Sequence, residues 1–339
     1  MCNAHCTYFT HLAERDGYVW PLPVRRVQFC MTVLSFANGM GPKMTPSTLI
    51  PLFQTHPRSF DQNRFVYPVV SRRSRGVSIG VNLNPEKYCN FDCVYCQVDR
   101  TVHGGPVLRK VDLPVLKSEL DQMIELVLGG GLFEGTRFST TPVEYRRLND
   151  IAMSGDGEPT SSPIFDEVVD LCAEIRRSHG VDDVKLVLIT NATHLQRPRV
   201  VRALEVLDAN NGEIWGKLDA GTEEYYQFID RTKVHLAEVM ENLLVTARKR
   251  PIVIQSLFMR LNDEPPTLTE QEAYCDRLCE LVRDGGQIKL VQIHSIARRP
   301  AESFASPLHD SEIDTLAELV RRRTSLPVSA HYGYSPYAD

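Results

Sequence analysis

A chain of 339 residues with 42% hydrophobic and 24% charged content is long enough for one large α/β domain with additions, which is the expectation, or for two small ones. Its net charge of −5 supplies no bulk field that argues for nucleic acid. The longest apolar run, at 27–37, is too short to span a bilayer and too far along the chain for an ordinary signal peptide. Nine irregularly spaced cysteines do not resemble a secreted disulfide framework, so a cytoplasmic protein without membrane contact is expected.

Residues 1–43 lack clear periodicity and run up to Met40, with Met44 just beyond; this extension is expected to be disordered or untranslated, and dispensable. A lead-in follows at 44–75. From residue 76, short apolar runs alternate with amphipathic stretches. Strands are expected at 76–83, 149–155, 184–190, 213–220, 252–259 and 288–296, several apolar almost throughout, as in a parallel sheet buried on both faces. Helices are expected near 112–129, 164–179, 196–209, 235–249, 269–284 and 310–323, the second opening on Ser162 as N-cap and Pro163 at the first helical position. Six strand–helix repeats imply a curled parallel α/β sheet, either a partial barrel or an open doubly wound sheet. Residues 298–339 are read as a closing helix and strand.

Unusual polar segments follow the strands: the cysteine loop, "SGDGEPT" at 154–160, "TNATH" at 190–194, "KLDAG" at 217–221 and "HSIARRP" at 294–300. The carboxyl ends of parallel strands share one rim, so these segments are expected to converge on one mouth. Cys172, Cys275 and Cys279 fall in helical patterns and read as small buried hydrophobes, although the last two stand one helical turn apart and make half a tetrahedral site. Cys89, Cys93 and Cys96 differ, with three thiols inside eight residues. Structural zinc would need a fourth ligand, for which His103 is the nearest candidate. A [4Fe–4S] cube is the sharper reading: three thiolates hold three irons and leave the fourth open to a small chelating molecule.

The spacing C-x3-C-x2-C, with Tyr95 before the third cysteine, resembles the signature of the radical S-adenosylmethionine (radical SAM) superfamily. The resemblance covers roughly 76–297. It implies a partial (β/α)6 barrel, one [4Fe–4S] cluster on Cys89, Cys93 and Cys96, S-adenosylmethionine (SAM) as cofactor, and an external electron donor such as flavodoxin or ferredoxin. "SGDGEPT" resembles the segment that meets the SAM amino group in that superfamily, so Gly155, Asp156, Gly157 and Glu158 are expected at the cofactor, the last two at the ammonium. Asn191, Lys217 and Asp219 are candidates for the ribose and the methionine carboxylate, with strand-end capping as the alternative. Tyr95 is placed near the adenine. Gln255 or Ser256 is expected to face the mouth, Arg231, His294, Arg298 and Arg299 either bind substrate or are solvated charges, and no catalytic residue is assigned. "VNLNPEKYCNFDCVYCQVDR" and "IARRPAE" look most like the group holding the wyosine-forming tRNA enzymes and their uncharacterised bacterial relatives. The extra cysteines those enzymes carry ahead of the core are missing from 31–88, and charge does not favour tRNA as substrate. The reading is therefore a radical SAM enzyme on an unidentified substrate. Wyosine-like tRNA modification, an activase for a glycyl-radical protein and a non-catalytic metal-binding scaffold are the alternatives.

Overall fold

The computed structural model describes residues 58–71, 73–98 and 111–333. The proposed 1–43 extension, His103, Cys2, Cys6 and Cys30 lie outside them. One eight-stranded sheet organises the rest: β1 (Val66–Ser71), β2 (Gly76–Val81), β3 (Leu148–Met153), β4 (Lys185–Thr190), β5 (Gly212–Lys217), β6 (Ile252–Leu257), β8 (Ile288–His294) and β10 (Val328–His331), side by side in that order. β1 runs antiparallel to β2, from Val66 opposite Val81 to Ser71 opposite Gly76. All later pairings are parallel. The sheet curls into a partial barrel of α/β type. A two-stranded antiparallel pair, β7 (Met259–Leu261) and β9 (Ala305–Pro307), stands apart from it.

Helices α1 (Leu113–Leu128), α2 (Phe165–Ser178), α3 (Pro198–Asp208), α4 (Glu223–Asp230), α5 (Leu236–Lys249), α6 (Leu268–Arg283) and α7 (Asp310–Thr324) alternate with the strands. Among the described residues no helix is long and apolar enough to cross a membrane. Each expected strand and helix has its counterpart. Three short pieces were not anticipated: β1, whose Pro68 is tolerated because the strand is an edge; α4; and the β7–β9 pair. One start signal misplaced a boundary. α2 begins at Phe165 after Ile164, because Pro159–Ser161 forms its own 3-10 turn that ends on Ser162.

Side-chain alternation divides the strands between two environments. One set joins the helices in the main core, including Ile79, Ile151, Leu186, Ile214 and Ile254. The other lines the inside of the curl, where Ala152, Val187, Trp215 and Val253 form a smaller apolar belt with Ile189 and Leu290. Below this belt, towards the strand starts, Glu213 is held by Lys185 at 2.8 Å, Lys289 at 2.6 Å and the Trp215 indole N–H at 3.1 Å.

Candidate functional site

A cavity of about 300 Å³ opens inside the curl. Its walls include Cys89, Cys93 and Cys96, residues 154–158, Asn191, Lys217, Gln255, His294 and Arg298. The rim segments picked out in the sequence thus meet at one place.

The cysteine loop leaves β2 and is fastened on three sides. Behind it, the end of α4 pairs with it through the backbone: Asp92 N–H donates to the Asp230 carbonyl at 3.1 Å and Val94 N–H to that of Ile229 at 2.8 Å. Glu302 N–H donates to the Val94 carbonyl at 3.0 Å. At the β4 rim, Asn191 Nδ2 donates to Asn90 Oδ1 and Asn90 Nδ2 to Thr193 Oγ1, both at 2.9 Å. On the β3 rim, Gly157 is pressed so close that a Cβ there would lie 1.7 Å from the Tyr88 carbonyl oxygen. A Cβ on Gly155 would meet Asn82 Oδ1 at 2.2 Å. Both glycines are therefore required by chain-on-chain approach.

The remaining rim residues are committed to one another. Glu158, 3% exposed, accepts from Thr160 N–H at 3.1 Å, Thr190 Oγ1 at 2.7 Å, Asn191 N–H at 2.7 Å and the Thr160 hydroxyl. Burial lifts its pKa and these donors oppose the rise. Asp156 accepts from Arg58 at 2.8 Å and Asn82 Nδ2 at 2.7 Å. Asp219 accepts from Leu257 N–H at 2.6 Å and pairs with Lys217 at 3.0 Å. Lys217 thus has its anionic partner within its own segment, and its ammonium lies 5.2 Å from the centre of the Tyr95 ring. Tyr95 points its hydroxyl into the protein, 2.5 Å from Asp219 Oδ2 and 2.7 Å from Asp230 Oδ1. Burial and then the Asp219 charge push the Asp230 pKa up to about 7, with Tyr95, Cys93 and Lys217 opposing the rise.

Gln255 faces the cavity and donates to Gln292 at 3.2 Å, whereas Ser256 faces the core and shares a 2.6 Å hydrogen bond with Tyr274. Arg298 stands in the wall, with Nε donating to Gln97 at 2.6 Å. Arg231 turns away to Glu302. Cys172 and Cys275 are buried, but Cys279 is half-buried, its thiol facing the Arg323 carbonyl at 3.6 Å. Sequence reasoning missed Arg58, Asn82, Asp230 and Trp215; their only signal is the topology that brings them here.

The donor set fits an iron–sulfur group. Three thiols on one loop face one cavity, and among the described residues no three His, Cys, Asp or Glu side chains converge on a single ion. A cube in which each thiolate holds its own iron does not ask for such convergence. Burial, then the Asp230 charge, raises the pKa of Cys93 well above that of a free thiol, so a metal held there would have to displace its proton.

A family model for the radical SAM superfamily matches residues 83–271, more than half of the chain, and the chain belongs to that superfamily. It is 23% identical over 268 residues to a GTPase Obg of Brachyspira hyodysenteriae, spanning 77% of this chain and 34% of that protein. It is 27% identical over 177 residues to a UPF0026 protein of Methanocaldococcus jannaschii, spanning 52% and 46% respectively. The chain therefore spans less than half the length of these curated relatives. A radical SAM methyltransferase from Sphaerobacter thermophilus has the same kind of fold, with a TM-score of 0.52 at 13% identity over 78% of this chain and 69% of that one. Archaeal TYW1 superposes with a TM-score of 0.40 at 14% identity over 73% and 72%, too little to bear on the fold.

Proposed function

We propose that this chain is an enzyme that holds one [4Fe–4S] cluster on Cys89, Cys93 and Cys96 and binds SAM across the rim. The observation behind this reading is that three thiols of one short loop line the same cavity as residues 154–158, Asn191 and Lys217. When bound, cluster and cofactor supply reductive cleavage of SAM to methionine and a 5′-deoxyadenosyl radical, which takes hydrogen from the substrate, the electron coming from an external donor such as flavodoxin or ferredoxin.

The chain's own residues bind, orient and exclude water. Gly155 and Gly157 let the β3 rim close on the cysteine loop, Asp156 fixes Arg58 at the mouth, and Lys217 and Arg298 place cationic groups there. Glu158, Asn191 and Asp219 serve through the neighbours they hold. The belt of Ala152, Val187, Ile189, Trp215 and Val253 keeps the inner wall dry. A reducing compartment, the cytoplasm, suits such a thiol set.

Anaerobic reconstitution tests the reading. Wild type should take up about four irons per chain and the Cys89/Cys93/Cys96 triple-Ala variant none. The reduced protein should convert SAM to 5′-deoxyadenosine. A variant that keeps its iron would overturn the ligand assignment, and a wild type that binds iron without cleaving SAM would leave a scaffold. Deuterium transfer into 5′-deoxyadenosine then separates a small-molecule substrate from a tRNA or a glycyl-radical protein.

A further inference from the structure

The cavity reaches well below the cysteine loop. Asp150 is the third residue of β3 and Met153 the last, so at about 3.3 Å per residue Asp150 starts about 10 Å below the rim, yet it lines the same cavity as Cys89, Cys93 and Cys96. Ser78 of β2, Asp150 and Lys185 of β4 stand side by side, two residues before the row of Gly80, Ala152 and Val187. Alternation turns both rows to the inside of the curl. Ala152, with a single methyl group, takes up little of that space, and the cavity continues past it to Ser78, Asp150 and Arg73. Between rim and Asp150 the wall is apolar, formed by Ala152, Val187, Ile189 and Trp215.

Asp150 is 4% exposed and accepts from the Ser78 hydroxyl. The cations nearest to it have other engagements: Lys185 lies 2.8 Å from Glu213, and the Arg73 guanidinium lies over the Trp215 ring, 5.6 Å from its centre. Burial still lifts the Asp150 pKa above the ordinary carboxylate value, with Ser78, Arg73 and Lys185 among the groups that oppose the rise. The negative charge is therefore under-compensated. A ligand ammonium would supply what is missing, and a carboxylate offers about four lone-pair sites, more than Ser78 uses.

We propose that Asp150 is a specificity-determining residue for the substrate: the cavity takes a small molecule with a hydrocarbon middle and a primary amine, the amine on Asp150 and Ser78 and the hydrocarbon along the apolar wall. The inference deepens the proposed function and rests on it for the reaction at the rim. An anionic end group would meet the carboxylate and be rejected.

Hexylamine, hexanol and hexanoate serve as probes of one chain length and three charges. Their binding to the full-length protein is followed by saturation-transfer NMR at mildly alkaline pH, where carboxylates are ionised and alkylamines protonated, first without iron and then after anaerobic reconstitution. Hexylamine should bind more tightly than hexanol, and hexanoate least; this order is read in wild type and needs no variant. Asp150→Asn keeps the shape of the side chain and should weaken hexylamine about tenfold or more, with far less effect on hexanol. Ala152→Leu narrows the passage but keeps the carboxylate, and should weaken both. SAM added after hexylamine should leave it bound. Equal affinities for the three probes, no binding of hexylamine, a hexylamine affinity untouched by Asp150→Asn, or release of hexylamine by SAM would each overturn the inference. A protein that orders the probes as expected but assembles no cluster would overturn the proposed reaction and keep the amine subsite.

Discussion

A buried carboxylate with no cation beside it is held by hydrogen bonds, and Glu158 is the rim's chief example. Its donors come from Thr160, two residues on, and from Thr190 and Asn191 across the gap between β3 and β4. Removing the acceptor strands several of them. Glu158→Ala should therefore lower stability by about 1–3 kcal/mol, seen as a drop in melting temperature of the iron-free protein. A variant that melts like wild type and loses only SAM affinity would restore the carboxylate to the ammonium. The spacing of "SGDGEPT" located this segment at the rim, but the carboxylate's direction depends on residues some thirty positions away. Asp150 is a second buried carboxylate lining the cavity, with Arg73 among the groups that act on it. Burial raises its pKa above the ordinary value, with Ser78, Ser74 and Arg73 opposing. The folded state thus holds this proton more tightly than the unfolded one. Its contribution is full below the unfolded carboxylate value, about pH 4, and is lost as pH rises through the folded value. Asp150→Asn, which does not titrate, should gain on wild type in melting temperature as pH is raised from 4 to 8. A constant difference would contradict the assignment.

At the scale of elements, the cysteine loop has no regular structure of its own and takes its shape from the β3 rim, the β4 rim and α4. Gly157 is where that dependence is sharpest, because a methyl group there collides with the Tyr88 backbone. Gly157→Ala should cost about 1–3 kcal/mol, of the order of overpacking, and cut iron uptake severalfold while circular dichroism stays that of wild type. Normal iron uptake by this variant would show that the loop is not clamped there. The elements differ in how legible they are. Parallel strands buried on both faces announce themselves as continuous apolar runs, so β2 to β6 and β8 could be read directly. β1 is interrupted by Pro68, α4 spans eight residues, and β7 and β9 have three each, too short for any period to register. The cysteines were legible because their spacing alone sets three thiols on one short loop. The Tyr95–Asp219–Asp230 group was not, because its members meet only after α4 has folded back.

For the molecule as a whole, the last forty residues close the sheet and brace the site. β10 pairs with β8 from Val328 opposite Val291 to His331 opposite His294, and Glu302 holds both Arg231 and the backbone of Val94. Ending the chain at Ala297 would expose the β8 edge and remove the Glu302 contact that also holds the loop at Val94. Such a truncation should aggregate and fail to take up iron. A soluble product that reconstitutes fully would make 298–339 a separable addition.

The inner belt has a spectroscopic consequence. The chain has two tryptophans, Trp20 and Trp215, and Trp215 stands in the cavity wall. A visible-absorbing chromophore seated beneath the cysteine loop would accept excitation energy from that indole. In Trp20→Phe the remaining emission therefore comes from the cavity alone and becomes a built-in gauge of its contents. It should dim in proportion to iron added and recover on chelation, reporting assembly in real time without an external dye.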